Sequence, residues 1–290
     1  MRRVAVVTGA SAGIGAAAAR RLHETGFVVY AVARRVDRMA ALQSMGIRTV
    51  QADVTDDAAL VALVDRVLAE AGRVDVLVNN AGYGSFGAVE DVSLEEARRQ
   101  FEVNVLGAAR LCQLVLPAMR AQGSGRIINV SSVGAKMYQP LGGWYHATKY
   151  ALEGLSDCLR LELKPFGIDV VIVEPGGVAT EFPLVAGERL LATSGHGAYA
   201  AYARRYARTL HTEAKGISSP DVVARTVARA ATVRRPRARY PVGRGARAVV
   251  LARWLLPDRA YDRLLVAVFG FLTWITTPRN AKPTGRDRPL

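Results

Sequence analysis

Cysteine and histidine are scarce in this chain, two and four residues in 290. Cys112 and Cys158 both fall within helical patterns and read as buried thiols of a reducing compartment, which excludes a disulfide framework. His23, His146, His196 and His211 show no ligand spacing, so no metal site is expected. Membrane-spanning runs are missing too. The apolar stretch Leu264–Ile275 covers 12 residues, far below the ~20 that a spanning helix needs. The start, MRRVAVVTGA, places two arginines before an apolar run, but that run breaks at Thr8-Gly9, too early for the apolar core of a signal peptide. It reads better as a first buried strand, and the expectation is a cytoplasmic protein.

Acidic residues are sparse in one region only. Residues 1–190 carry 20 basic and 20 acidic side chains, whereas 191–290 carry 19 basic and 5 acidic, so the whole net charge of +14 sits in the last hundred residues. Seven arginines lie between Arg234 and Arg253 with no acid among them. Lysine is rare throughout, with five against 34 arginines. Such a segment is either a solvated arginine-rich surface or the footprint of an acidic partner. It has no interleaved aromatics and no recognisable nucleic-acid-binding module, so no nucleic-acid partner is expected. With Trp254, Trp274 and the flanking arginines, residues 246–275 are a candidate for peripheral membrane contact.

Half of the residues are apolar, enough for a sizeable core. Up to about residue 180, short apolar runs alternate with stretches of helical period. Strands are expected at Arg3–Val7, Phe27–Val32, Ile47–Gln51, Val74–Val78, Gly125–Val130 and Ile168–Val173. Helices are expected at Gly13–Glu24, Val36–Met45, Asp56–Ala71 with Thr55 as N-cap, from Ser93 to about Ala121, and at Tyr145–Pro165. Near-continuously apolar strands separated by helices predict a doubly wound parallel sheet, a Rossmann-type α/β fold, with its ligand crevice beyond the strands' carboxyl ends. Further on, Ala198–Leu210, Pro220–Val233, Ala246–Leu256 and Asp258–Ile275 read as helices, and Arg239–Val242 as a short seventh strand. The predicted organisation is a catalytic domain over 1–245 with a substrate lid at about 181–215, a helical extension over 246–278 and a loose tail over 279–290.

Thr8-Gly9-Ala10-Ser11-Ala12-Gly13-Ile14-Gly15 occupies the turn from the first strand into the first helix. Glycines there let the backbone approach a pyrophosphate, which meets the amides and positive dipole end of the helix. The second strand ends Val32-Ala33-Arg34-Arg35 with no acid until Asp37. An acid at that place favours a free ribose 2′-hydroxyl, whereas an arginine accommodates a 2′-phosphate, so the expected cofactor is NADP(H), with Arg34 on the phosphate and Ser11 able to add a hydrogen bond.

Reduction of a carbonyl needs a proton delivered to the developing alkoxide. A tyrosine can supply it, and a nearby ammonium lowers its pKa from about 10. In Trp144-Tyr145-His146-Ala147-Thr148-Lys149-Tyr150, positions 145 and 149 lie four apart, hence only ~40° apart around a helix. Tyr150 points elsewhere and is expected to pack. Ser132 stands 13 residues before Tyr145, at the end of the fifth strand. Strand alternation turns Ser131 the other way.

The glycine spacing G-x-x-x-G-x-G, the Asn79-Asn80-Ala81-Gly82 loop and the Ser132…Tyr145…Lys149 order together resemble the classical short-chain dehydrogenase/reductase family. Asn104 in Phe101-Glu102-Val103-Asn104-Val105-Leu106-Gly107 matches its fourth catalytic position, and Glu174-Pro175-Gly176-Gly177-Val178-Ala179-Thr180 its P-G-x-x-x-T segment. The resemblance implies that Tyr145 is the general acid and that Lys149 lowers its pKa and binds the nicotinamide ribose. It also implies that Ser132 polarises the carbonyl and Asn104 holds a water of the proton relay. Asp53 and Val54 would contact the adenine, and Asn80, Ala81 and Gly82 would form the cofactor loop. Pro175, Gly176 and Val178 would meet the nicotinamide end, and Thr180 the cofactor's phosphates or carboxamide. A dimer or tetramer is implied as well. The C-terminal extension and the Pro257-Asp258-Arg259 turn look like the hydroxysteroid/retinol dehydrogenase-like branch.

Substrate contacts are expected from Tyr83–Gly87, Gly134–Trp144 and the lid. Met137, Tyr138, Leu141, Trp144, Phe182, Leu184 and Val185 make that neighbourhood apolar and suited to a lipophilic ketone or aldehyde. The competing reading is a non-catalytic, NADP(H)-sensing binding protein on the same fold.

Overall fold

The computed structural model describes residues 2–213 and 217–268. Positions 214 and 215 of the expected lid and everything expected beyond 268, Trp274 and the tail included, lie outside the described residues. Seven parallel strands form one sheet. They are β1 (Val4–Thr8), β2 (Val28–Ala33), β3 (Arg48–Gln51), β4 (Val76–Asn79), β5 (Gly125–Val130), β6 (Ile168–Pro175) and β7 (Arg239–Val242). Their spatial order is β3-β2-β1-β4-β5-β6-β7, so the winding reverses between β1 and β4, where a ligand crevice is expected to open.

Side-chain alternation along β1 explains the two layers of helices. Ala5 and Val7 face a core shared with α1 (Gly13–Glu24) and α9 (Pro220–Thr232). Val4 and Val6 face the opposite core, built with α3 (Asp57–Ala71) and α5 (Gly107–Gln122). Both sets are fully buried, which is why the strand reads as an unbroken apolar run rather than an alternating one. The remaining helices are α2 (Ala40–Ser44), α4 (Leu94–Phe101), α6 (Gly143–Leu163), α7 (Phe182–Ser194), α8 (Ala200–Glu213), α10 (Ala246–Leu255) and α11 (Asp258–Val268). Among the described residues, no helix is long and apolar enough to cross a membrane.

Several local expectations are corrected. The N-cap of α3 is Asp56, whose carboxylate accepts from the Ala59 amide at 3.1 Å. Thr55 is held one residue earlier, donating its amide and hydroxyl to Asp53. The long helix after Ser93 is broken by a π-turn at Glu102–Leu106. Helix α7 lies in the segment expected to form a lid, where the sequence had shown no helix, because its apolar residues point both ways: Ala186 and Leu190 are buried, whereas Leu184 and Val185 are exposed. Cys112 is buried as expected, but Cys158 is exposed, and so is Tyr150.

Candidate active site

The β1–α1 turn is shaped by what cannot be there. Gly9 has φ +66°, and a Cβ on it would stand 2.8 Å from Asn80 Nδ2. A Cβ on Gly15 would stand 2.2 Å from the Gly9 carbonyl oxygen, so only glycine lets helix α1 approach the turn this closely. Asn80 braces the turn from the side. Its amide and that of Ala81 donate to Thr8 Oγ1 at 3.0 Å, and its Nδ2 donates to the Thr8 carbonyl at 3.0 Å. The α1 N-terminus has no side-chain cap and no acid in its first turn, which leaves its amides and dipole for an anion. Thr180 closes this end, with its methyl 3.0 Å from where a Gly13 Cβ would lie. A cradle of this shape fits the pyrophosphate of a dinucleotide.

At the end of β2, Arg34 is exposed and lies 3.7 Å from Asp53. Asp53 also fixes the start of the next helix through Thr55, which sets Val54 against the first residue of α5. Arg35 and Arg38 reach Glu181, at the N-terminus of α7, at 3.9 and 3.0 Å. Three guanidinium groups thus gather just beyond the end of β2, and two of them reach the N-terminus of α7.

Helix α6 carries the expected tyrosine–lysine pair. Lys149 is buried, and its Nζ donates to the Val130 carbonyl at 3.1 Å while standing 6.0 Å from the centre of the Tyr145 ring. Burial pulls the Lys149 pKa down to about 8, opposed by the carboxylate of Glu153 one turn further along. Tyr145 is half-buried, and its pKa is raised, by burial first, with a lowering contribution from a hydrogen bond to Ser132. The expected lowering by Lys149 is therefore not realised in the protein alone. The phenol stays protonated at neutral pH, the form that a proton donor requires. Ser132 Oγ accepts from the Gly134 amide at 3.0 Å, whereas Ser131 Oγ turns away to Glu153.

Asn104 occupies the π-turn, is buried, and spends its side chain on protein. Its Oδ1 accepts from the Tyr83 amide at 3.0 Å, and its Nδ2 donates to the Tyr83 carbonyl and to Thr148 Oγ1 at 2.9 and 3.0 Å. Thr148 in turn donates to the Tyr145 carbonyl. Asn104 thus ties the loop after β4 to the first turns of α6. A Cβ on Gly82 would come 3.1 Å from Asn104 Oδ1 and 3.7 Å from Lys149 Nζ, which places all three around one point.

Four sets of contacts between segments escaped sequence reasoning. Phe86 packs on Tyr145 with ring centres 5.5 Å apart, and Phe182 does so at 5.4 Å. Tyr202 and Tyr206 of α8 stack on each other, and Tyr206 reaches Phe86 at 6.3 Å. His146 is buried with Nδ1 2.7 Å from the Gly134 carbonyl, holding the Ser132 loop against α6. Behind Ser131, the buried carboxylates of Glu153 and Glu174 share Lys136 and Arg239. Burial, reinforced by Glu153, pushes Glu174 up to about 7. Of the apolar residues expected near the substrate, Leu141 and Phe182 join the cluster around Phe86. Tyr138 instead donates to Asp262 of α11, and Leu184 and Val185 face outward.

These features together define an oxidoreductase of the dinucleotide-binding type, and comparison with known proteins gives the family. The short chain dehydrogenase family model matches residues 3–187, and the chain belongs to that family. It is 40% identical over 181 residues to the 3-ketodihydrosphingosine reductase of Bacteroides thetaiotaomicron, which covers 62% of this chain and 65% of the relative. The crystal structure of a short-chain dehydrogenase from Streptomyces avermitilis superposes with a TM-score of 0.76 at 33% identity, covering 96% of this chain and 99% of that one. A metagenomic short-chain oxidoreductase in complex with NADP superposes with a TM-score of 0.65 at 32% identity, covering 82% and 95%.

Proposed function

We propose that the protein is an NADPH-dependent reductase of a lipophilic ketone or aldehyde, with Tyr145 as the proton donor. The observation that carries this reading is the buried Lys149 ammonium beside Tyr145, its Nζ 6.0 Å from the centre of the phenol ring. Gly9, Gly13, Ile14 and Gly15 would receive the pyrophosphate, Arg34 and Ser11 the 2′-phosphate, and Asp53 and Val54 the adenine, with Asn80, Ala81 and Gly82 forming the cofactor loop. Pro175, Gly176, Val178 and Thr180 would meet the nicotinamide end. When bound, the reduced nicotinamide supplies the hydride. Tyr145 gives its phenolic proton to the carbonyl oxygen, towards which Ser132 donates a hydrogen bond. Lys149 stabilises the phenolate left behind. Asn104 keeps the loop and α6 in register while this happens. The aromatic cover of Phe86, Phe182 and Tyr206 excludes water and suits an apolar substrate. The ketone reductase among the relatives and the NADP-bound neighbour support the same reading.

The test is NADPH oxidation against ketones and aldehydes of increasing hydrophobicity. A rising kcat/KM along the series is expected, and a purified protein that reduces none of them would return the non-catalytic alternative. Arg34→Ala is expected to lower kcat/KM with NADPH by about 10–100-fold, the range of a charged hydrogen bond, and to leave the NADH reaction nearly unchanged. Equal losses with both cofactors would remove Arg34 from the 2′-phosphate.

The pH dependence follows from Lys149. Its pKa of about 8 means that the free enzyme loses this ammonium well below the usual lysine range. Because kcat/KM reports the free enzyme, reduction is expected to fall as pH rises through about 8. Linkage gives the opposite sign for stability. A lysine with a depressed folded pKa costs stability while charged, so folding gains as pH climbs from about 8 towards the unfolded lysine value. A pH–rate profile flat up to pH ~10, the ordinary lysine range, would contradict the assignment.

A further inference from the structure

Away from the catalytic helix, at the outer edge of the sheet, a cleft of about 680 Å³ lies between α9, β7 and α10. Arg229, Arg235, Arg237 and Arg247 line it, with Thr226 and Tyr240, and among the described residues no carboxylate lines it. Among the described residues none of these four guanidinium groups forms an ion pair. That contrasts with Arg239 of β7, which is engaged by Glu153 and Asp157. Four like charges around one cleft repel each other, and an anion placed among them removes that cost.

The same cleft continues into an apolar stripe. Arg247, Leu251, Trp254 and Leu255 stand at i, i+4, i+7 and i+8, one face of α10. Leu251, Trp254 and Leu255 are 54%, 79% and 60% exposed, and Trp254 is the most exposed large apolar side chain among the described residues. We infer that this face is a docking surface for an anionic lipid bilayer. The arginine cleft would receive phosphate headgroups, and Leu251, Trp254 and Leu255 would enter the interfacial layer. A second copy of the chain would bring one arginine cluster against another. A nucleic acid would use the arginines but leave Leu251 and Leu255 in water.

The surface is also tied to the substrate side of the protein. After the Pro257 turn, α11 returns with Tyr261, whose ring centre lies 5.6 Å from that of Tyr138, and with Asp262, which accepts from the Tyr138 hydroxyl at 2.8 Å. Tyr138 belongs to the loop between β5 and α6, beside the catalytic tyrosine. A docked α10 therefore places the substrate loop near the bilayer, where a lipophilic substrate is concentrated.

The experiment is co-sedimentation of the full chain with vesicles of phosphatidylcholine alone or mixed with phosphatidylglycerol, at low and high salt. Binding is expected only with the anionic vesicles and is expected to weaken with salt. Arg235→Gln with Arg237→Gln should reduce partitioning roughly 25-fold, at about fivefold per arginine. Leu251→Ala with Trp254→Ala should reduce it by about tenfold or more. Both double variants alter exposed residues away from Asn104, Ser132, Tyr145 and Lys149, so turnover of a small soluble ketone should not change. Docking therefore fails or stands independently of the proposed reaction. The inference is overturned if anionic vesicles bind no protein, or if neither double variant weakens binding. It is equally overturned if the apolar variant merely converts a dimer to a monomer. Duplex DNA binding as tightly as the vesicles, with no effect of the Trp254 substitution, would assign the surface to nucleic acid instead.

Discussion

Tyr145→Phe is expected to lower kcat/KM for carbonyl reduction by about 10²–10⁴-fold, the contribution of a positioned general acid. The substitution removes one oxygen and little else. The phenyl ring keeps its contacts with Phe86 and Phe182, 5.5 and 5.4 Å away, and Lys149 keeps its hydrogen bond to Val130. Thermal stability and NADPH binding should therefore change little, and fluorescence titration with NADPH measures the second directly. Because burial holds the phenol protonated, no other group on this face can take over the donor role: Ser132 is a hydroxyl with no activating base, and Lys149 is occupied by the Val130 carbonyl. A Tyr145→Phe variant with undiminished activity would refute the mechanism. A variant that loses NADPH binding as well would show the residue acting on the cofactor and not on the proton.

The parts of this site that could be read in advance are those fixed by local periodicity. Tyr145 and Lys149 share a helical face at a spacing of four, and Ser132 ends a strand whose neighbour Ser131 must point the other way; the hydrogen bonds of both serines bear this out. The glycine turn was legible because a strand and a helix flank it. The parts that stayed hidden depend on distant segments meeting. Phe86 lies on Tyr145 only because a loop following β4 is tied to the lid, with the Ala88 amide donating to Ser194 Oγ at 2.9 Å. The π-turn that inserts Asn104 leaves no mark on the helical pattern, since the residues on both sides remain periodic. The Glu153–Glu174 pair spans two elements and is invisible to any window along the chain. Lys149 shows why a pKa cannot be read from a motif: Glu153 one turn along pulls it up, but burial decides the direction. The same applies to α10, whose apolar pattern was plain but whose exposure was not.

Gly15→Ala should abolish NADPH binding at any practical concentration, a loss of at least about 100-fold, or roughly 2.7 kcal/mol. In isolation, alanine is the better helix former and the exchange inside a helix stabilises by about 0.5–1 kcal/mol. At position 15 the new methyl would stand 2.2 Å from the Gly9 carbonyl oxygen and 2.5 Å from Asn80 Nδ2. The first of these is backbone, so no rotamer change relieves the contact. Either α1 moves outward or the turn opens, and both separate the α1 amides from the Gly9 and Asn80 backbone that frame the cradle. The Asn80 hydrogen bonds to Thr8 and Gly9, at 3.0 and 3.3 Å, break in either case. The melting temperature should drop while the circular dichroism of the folded state persists. Gly154 supplies the control, because it lies in α6 where an added Cβ meets nothing within 4 Å. Gly154→Ala should leave NADPH binding intact and raise the melting temperature slightly. The same exchange in two helices thus carries opposite signs, with steric access to the cradle as the only difference. Tight NADPH binding by the Gly15 variant would mean that the dinucleotide does not lie against this turn.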